Sequence, residues 1–531
     1  MSLASRHPWK FRGFTAMFGR VKPLDAILAT AEKKSLHRSL GAIQLTLLGV
    51  GAIIGTGIFV LTSEAAQKAG PGMMWAFVIA AVVCGVAALC YSEIASMVPV
   101  SGSAYTYTYA VMGELLAWMV GWALILEYAV AASAVSVGWS GYFVGLLHSW
   151  GIELPNALIV GPYAGGIVNL PALVIALLVT LLLMIGTTES ARVNAILVGI
   201  KVTALTVFIV LTIPVMKGAN FEPFMPNGWF GNGHGAGLGA VGAAASIFFA
   251  YVGFDAVSTA AEETKNPQRN VPIGLIGSLG ICTVFYLLVA AGAIGALGAQ
   301  PVNGPNGEIL APGTPELASQ CQAIAASTIE PLVCSREALA HVLRSIGWER
   351  IGDLIGVAAF LALPSVILIM LFGQTRIFFV MARDGLLPEK LASIHPRWKT
   401  PHIVTMITGV AVAFFAAFLP VGQLADISNS GTLFAFFMVA LAVMILRKTQ
   451  PDRHRPFRTP LVWVVAPIAV LGCLGLFFNL PFEAKMVLPV WGGIGLVVYF
   501  SYGYRKSHVG LGRIEVHEED PDAPPQPVPP V

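Results

Sequence analysis

Apolar residues fall in long unbroken runs along this chain, not in short alternating stretches. A helix needs about 20 mainly apolar residues to cross a bilayer, and scanning for such runs bounded by Pro, Gly or charge gives twelve. They cover approximately residues 41–65, 72–98, 114–147, 169–188, 192–215, 238–263, 272–297, 351–382, 402–419, 424–446, 461–480 and 487–505. Strands of a membrane barrel would alternate apolar and polar positions, so the pattern predicts an all-α integral membrane protein. The third run is too long for an upright helix and the eighth also overshoots, which implies tilt or a protruding end.

Composition agrees with lipid as the solvent. Of 531 residues, 56% are AVILMFWYC and only 11% are Asp, Glu, Lys or Arg, against about 25% charged in soluble domains. Mean hydropathy is +0.77. The net charge of +3 is too small to suggest nucleic acid, so the placement of the charges matters more than their sum. With the N-terminus in the cytoplasm, 23 of the 31 Lys and Arg fall in inner segments and six in outer ones, while Lys201 and Arg376 lie inside spans. Positive charge concentrates on the cytoplasmic side, which predicts that both termini are cytoplasmic. The first 40 residues hold no apolar core of signal-peptide type, so no cleaved signal is expected. The tail 506–531 turns acidic and then Pro-rich, and is expected to be disordered.

Four of the six cysteines, Cys84, Cys90, Cys282 and Cys473, lie in apolar runs and read as reduced core thiols. Cys321 and Cys334 lie in the polar loop 298–350, expected outside, where either a disulfide or two free thiols fits. Within that loop, helical spacing from Glu337 to Asp353 predicts a short surface helix leading into the eighth span.

Two of the runs are interrupted. The first contains GVGAIIGTGIF, where glycines flank Thr56, and the sixth breaks at Gly253-Phe254-Asp255. Glycine lets a helix open, although close packing through small residues also accounts for it. Asp255 can cap the second half-helix or take part in function, and capping is the favoured reading. Interruptions in corresponding positions point to two five-helix halves, 41–215 and 238–446, with a site at their interface. Five is odd, so the repeat is inverted, and 461–505 supplies two further helices. A half-helix that starts at a break offers N–H groups to an anion, and one that ends there offers carbonyls to a cation. The amides of Thr56 and Gly57 are the expected donors, and the carbonyls of Ile53, Phe249, Ala250 and Val252 the acceptors. Such an arrangement fits a zwitterion, of which an α-amino acid is the commonest small example.

The stretches GVGAIIGTGIFVLTSEAAQKAGPG, CYSEIASMVPVSGSAYTYTY, FFAYVGFDAVSTAAEETKNPQRNVPIGLIGSL and TRIFFVMARDGLLPEKLASIHPRWKTP resemble the cationic amino acid transporter family of the amino acid, polyamine and organocation superfamily, in a bacterial version. The resemblance runs from about residue 35 to 506. It implies a five-plus-five inverted repeat of the leucine-transporter type with broken helices 1 and 6, in a bacterial inner membrane. It also implies that Thr56 and Gly57 bind the substrate carboxylate, that Ile53, Phe249, Ala250 and Val252 bind the amine, and that Phe254 is an aromatic gate. The small-rich segment Gly356–Ala362 would border the side-chain end of the pocket. Neutral amino acids of small or medium size rank ahead of cationic ones as substrates. No cofactor is implied.

Three further charged positions stand out. Glu127 lies about 20 Å along the third span, deep enough that a free charge there is costly, and it reads as a pocket or charge-relay group. Lys201 lies nine residues into the fifth span, where its ammonium must be held by protein oxygens or lose its proton. By resemblance it replaces the cation that joins the first and eighth spans in sodium-coupled relatives, which makes it the expected proton-coupling residue. Glu262 and Glu263, beside Lys265 and Arg269, form either an inner ion-pair gate or a solvated face. His148, His234 and His341 lack metal-ligand spacing, so no metal site is expected. A membrane transferase would need convergent nucleophiles at one membrane face, and the loops offer none. A proton-coupled amino acid permease, with an exchanger or sodium-coupled carrier as its alternatives, is the expectation.

Overall fold

A computed structural model describes residues 20–22, 40–99, 102–186, 191–233, 237–261, 264–305, 307–326, 329–398 and 400–512 of the chain. Glu262, Glu263, the acidic Pro-rich tail and most of the first 40 residues lie outside the described residues. No strand occurs among the described residues, and helices account for all the long apolar runs. Eight helical segments are long and apolar enough to cross a membrane, with four shorter apolar helices, Ala42–Ile53, Leu170–Ile185, His402–Phe418 and Val462–Phe478.

The first run is three helical pieces. Helix α1 (Ala42–Ile53) stops where Ile54 turns extended, α2 (Thr56–Phe59) starts after Gly55, and α3 (Leu61–Ala69) follows a distortion at Val60. A Gly70-Pro71-Gly72 turn then leads into α4 (Met73–Met97). Lys68 falls between the predicted runs 41–65 and 72–98, yet it sits in the last turn of α3 and is 4% exposed. The run therefore extends past residue 65, because a buried Lys68 has a carboxylate partner that the sequence does not display.

After α5 (Ser103–Met112), α6 (Glu114–Ser149) runs 36 residues without a break. Helix α7 (Leu170–Ile185) starts on Asn169, whose side chain accepts the Ala172 amide, with Pro171 in its first turn. Helix α8 (Ala191–Thr212) follows. The sixth run is α9 (Gly239–Ile247), a tight 3-10 turn at Phe248–Tyr251, a non-helical stretch and α10 (Ala256–Thr259). Helix α11 (Pro267–Leu297) lies against α1 and α4. The loop that follows carries α12 (Pro315–Ala325) and α13 (Ala338–Ser345). A helix is thus present in the stretch predicted for one, largely buried, and it stops at Ser345, before α14 (Glu349–Arg383) begins. The chain ends with α15 (His402–Phe418), α16 (Val421–Thr449), α17 (Val462–Phe478) and α18 (Phe482–Val498).

Helix α6 is the axis of the packing, with α14 and α16 along it. Pro364 inside α14 cannot donate to the carbonyl four residues back, and the Trp139 indole of α6 donates to that Phe360 oxygen at 2.9 Å. The two ends of α6 are pinned differently. At its first residue, buried Glu114 accepts from Arg20 (3.2 Å), Tyr109 (2.9 Å), Tyr499 (2.8 Å) and Ser507. Nearby Asp384 accepts from Lys22 (2.9 Å) and Tyr105 (2.7 Å), so residues 20–22 and the stretch from Tyr499 to Ser507 fasten to this end of the bundle. At the other end Gly145 makes room for Glu337, which pairs with Arg344. Cys321 and Cys334 are joined in a disulfide in the same loop. These are called the terminal end and the disulfide end below.

Candidate functional site

The two helix breaks meet inside the bundle. A Cβ placed on Gly57 would lie 2.3 Å from the Ala250 Cα, so the start of α2 rests directly on the 3-10 turn after α9. Only glycine permits that approach. Gly253 has φ of 114°, in the region that L side chains avoid, and its Cα side faces the Ala52 carbonyl. The interruptions read from the sequence thus coincide with two backbones that cross in contact.

Around this crossing lie the expected donors and acceptors. Among the described residues, the Thr56 and Gly57 amides donate to no backbone carbonyl, as the first positions of a helix must. Thr56 is 1% exposed, its hydroxyl is unpartnered among the described residues, and Gly138 of α6 leaves space for its side chain. On the acceptor side, the Tyr286 hydroxyl of α11 lies 2.9 Å from both the Ile53 and the Ala250 carbonyl oxygens. One hydroxyl carries one proton, so at any moment it fully satisfies only one of the two. The Phe249 carbonyl already accepts the Val252 amide at 3.2 Å. Val252 itself turns extended and is buried.

Phe254 is fully buried, its ring 5.0 Å from that of Phe436 and 6.1 Å from that of Tyr91. Asp255 precedes α10, where its carboxylate interacts with backbone N–H groups at the break, Ala256 of α10 among them, and Oδ2 also accepts from Tyr128 at 3.0 Å. Tyr128 lies one residue beyond Glu127 on α6. Glu127 is 1% exposed, the Thr432 side chain of α16 lies within hydrogen-bonding reach of its carboxylate, and the Asp255 charge acts on it. Val366 is the part of α14 that faces Gly55, just beyond the small-rich segment at 356–362.

Lys201 reaches α1 from α8. Its Nζ lies 2.8 Å from the Gly51 carbonyl and 3.4 Å from the Ser365 hydroxyl of α14, and the residue is 1% exposed. A Cβ on Gly51 would stand 2.7 Å from Val198, so α1 and α8 are pressed together at that level. Arg376 stacks its guanidinium 4.1 Å from the Phe372 ring, and Glu93 takes both Arg447 and Arg455, which gives these two charges structural partners.

Sequence reasoning missed Tyr286, Tyr128 and Ser365. An aromatic or serine within an apolar run carries no visible sign of what its hydroxyl will meet. No group of His, Cys, Asp and Glu that could hold a metal ion occurs among the described residues.

Comparison with known proteins identifies the family. The amino acid permease family model matches residues 40–500. The branched-chain amino acid permease BcaP of Bacillus subtilis is 45% identical over 496 residues, covering 93% of this chain and 98% of that protein. A methylthioribose transporter of the same organism is 40% identical over 491 residues, 92% of this chain and 98% of the relative. A vacuolar cationic amino acid transporter of Arabidopsis thaliana is 34% identical over 422 residues, 78% of this chain and 64% of the relative. With crossed helix breaks at its centre and a family match along most of its length, the chain belongs to the amino acid permease family and is a membrane transporter, not an enzyme.

Proposed function

We propose that this protein takes up L-amino acids across a bacterial inner membrane by alternating access, driven by protons. Twelve membrane-crossing helices form two inverted halves of five plus two more, with both termini in the cytoplasm and the disulfide end outside. The amides of Thr56 and Gly57 receive the substrate carboxylate. The carbonyls of Ile53, Ala250 and Val252, with Phe249 beside them, receive the amine, and Phe254 closes over the pocket. Lys201 carries the coupling proton, and Glu127 tunes the charge of the site.

The observation that carries this reading is the Tyr286 hydroxyl shared between the Ile53 and Ala250 carbonyls. Two carbonyls with one proton between them present spare acceptor capacity, and it lies beside helix-start amides with spare donors. An ammonium and a carboxylate on one carbon supply both complements. The branched-chain permease relative favours a neutral substrate such as leucine, isoleucine or valine over a cationic one.

The methylthioribose relative supports a second reading, a carrier of a neutral thiosugar, which would leave the charge complementarity unused. Counterflow in proteoliposomes decides between them. Labelled leucine should accumulate against unlabelled internal leucine, with competition by alanine, serine or leucine stronger than by arginine or lysine. Counterflow of methylthioribose and none of any amino acid would replace the proposal with the second reading.

A further inference from the structure

A cleft opens on the outside of the bundle at the terminal end, apart from the crossed breaks. Its volume is about 640 Å³. One wall is the start of α11, with Arg269, Ile273, Ile276 and Gly277, and the other is Pro456 and Phe457 of the loop between α16 and α17. Helix α11 ends at Leu297, where the disulfide loop begins, so its start is at the terminal end. Trp463, near the start of α17 and 53% exposed, has the Lys448 ammonium 5.6 Å from its ring. Exposed Trp beside Lys marks the level where acyl chains give way to headgroups, which sets the depth of the cleft mouth.

Both walls are well defined. Arg455, 5% exposed, turns back under the loop and donates to the carbonyls of Leu446, Gln450, Pro451 and Arg453. Beyond it the Phe457 amide donates to the Ser96 hydroxyl at 3.3 Å and the Thr459 amide to Glu93 at 2.8 Å, so Phe457 is held against the end of α4. On α11, Ile273 and Ile276 are 43% and 37% exposed. A Cβ on Gly277 would meet only the Thr46 side chain, at 3.5 Å, so the missing side chain deepens the groove there.

The charge at the mouth is one-sided. Arg269 is exposed and makes no ion pair or hydrogen bond among the described residues. A cation in the first turn of a helix opposes the helix dipole, and α11 has no acidic residue there to offset it. Exposed Lys265, four positions earlier, and exposed Arg458, next to Phe457, add positive charge. Residues 447–460 hold five Arg or Lys against one acid, Asp452, and of the five only Arg447 and Arg455 are paired with Glu93. An apolar groove with a cationic mouth at headgroup level is complementary to a molecule that is anionic at one end and a hydrocarbon chain at the other. We propose that an anionic phospholipid of the phosphatidylglycerol type occupies this cleft, its phosphate on Arg269 and one acyl chain lying along Ile273, Ile276 and Gly277 against Phe457. The lipid joins α11 to the loop pinned on α4. The segment before α11 in turn holds the residue before α1, since the Lys265 amide donates to the Leu40 carbonyl at 2.8 Å. A ligand that binds only the folded protein stabilises it.

Native mass spectrometry and thermal unfolding of the delipidated full-length protein test the site. Dioleoyl phosphatidylglycerol should stay bound under activation that strips phosphatidylcholine of the same chains, and it should raise the melting temperature where inorganic phosphate alone does not. Arg269→Gln should raise the half-saturating concentration of phosphatidylglycerol by roughly tenfold, since a charge-assisted hydrogen bond to phosphate is lost. Gly277→Leu fills the groove and leaves every charge in place, and it should weaken binding similarly. Arg397→Gln, which removes an exposed charge from the loop between α14 and α15, should leave binding unchanged. Equal binding of the two lipids, a full thermal shift from inorganic phosphate, or an unchanged response in either Arg269→Gln or Gly277→Leu would overturn the proposal. So would an equal loss in Arg397→Gln, which would reduce the attraction to a diffuse one. None of these readouts involves a transported solute, so their failure is distinguishable from failure of the transport reading, which counterflow tests.

Discussion

The phenolic oxygen of Tyr286 stands 2.9 Å from the carbonyl oxygen of Ile53, the last residue of the helix that precedes the first break. The same oxygen is equally close to the Ala250 carbonyl of the other broken run, so a single side chain ties the two interruptions together. Its deletion should separate structure from binding. In Tyr286→Phe both buried carbonyls lose their donor, at a cost of about 1–3 kcal/mol, so the ligand-free protein should melt earlier. If a substrate ammonium donates to those same oxygens, as proposed, the thermal shift on adding substrate should be larger than in the unmodified protein. A substrate-induced shift that shrinks or vanishes while ligand-free stability is unchanged would contradict this role.

Gly57 tests the contact between the breaks. In Gly57→Ala the new methyl would lie 2.3 Å from a backbone atom, Ala250 Cα, and a backbone cannot rotate away. Overpacking of this kind costs about 1–3 kcal/mol or more, and here it also separates the donors from the acceptors. Transport should be lost. Gly280→Ala, in α11 with nothing within 4 Å of its new Cβ, should transport normally and be at least as stable, since alanine favours a helix by up to about 1 kcal/mol. Equal uptake by the two variants would remove the crossing from the account of function.

Much of this architecture was legible in the sequence because lipid imposes simple rules on it. Runs such as 114–147 and 351–382 match α6 and α14 within a few residues, since a helix must satisfy its own backbone in an apolar solvent. The breaks were legible too, because Gly55 and Gly253 stand where helix geometry stops. Partners were not. Lys68 lies outside the predicted run 41–65 because Asp426, which holds it in α3, is 358 positions away. The place of Asp255 before α10 is visible in the sequence, but its second partner is not, since only the packing of α6 brings Tyr128 within reach. Tyr286 gave no signal at all, since in an apolar run an aromatic residue is first of all a lipid-compatible side chain.

The loop that carries the disulfide holds a titrating group of its own. Burial raises the Glu337 carboxyl above its ordinary range, and the Arg344 guanidinium beside it offsets this only in part. A carboxyl with a raised folded value binds its proton more tightly folded than unfolded. Its contribution to stability is therefore fullest below the unfolded value and is lost as pH rises through the folded one. Protection of residues 330–345 in hydrogen exchange, corrected for intrinsic rates, should fall as the pH is raised from the ordinary carboxylate range toward neutrality. Glu337→Gln should flatten that dependence. A protection that rises with pH, or the same slope in the variant, would refute it.

The Cys321–Cys334 bond closes a short loop of sequence separation 13. In the chain-entropy model such a closure stabilises by at most about 3 kcal/mol. Gln67 fastens the loop to α3 independently of the bond, so the effect of the bond should be local. Replacing both cysteines with serine should loosen the loop in hydrogen exchange and leave the counterflow rate unchanged. Loss of counterflow in that variant would show that the disulfide serves transport itself.

Lys201 joins three helices at one point, with its own α8, the Gly51 carbonyl of α1 and the Ser365 hydroxyl of α14. A charge-assisted hydrogen bond contributes about 1.5–3 kcal/mol, roughly twice a neutral one. A protonated Lys201 therefore holds α1 against α8 and α14, and a neutral amine holds it less firmly. If the proton that charges Lys201 is the one that drives uptake, its release on the cytoplasmic side frees α1 and opens the terminal end. In Lys201→Met that connection is absent whatever the proton gradient. The variant should lose accumulation driven by an inward proton gradient, keep part of its substrate binding, and show no sodium dependence. Proton flux measured with a dye inside proteoliposomes should follow substrate in the unmodified protein and be absent in the variant. Full gradient-driven accumulation by Lys201→Met, or an absolute requirement for sodium in the unmodified protein, would exclude Lys201 as the proton carrier and leave its bond to Gly51 as a fixed brace between α8 and α1.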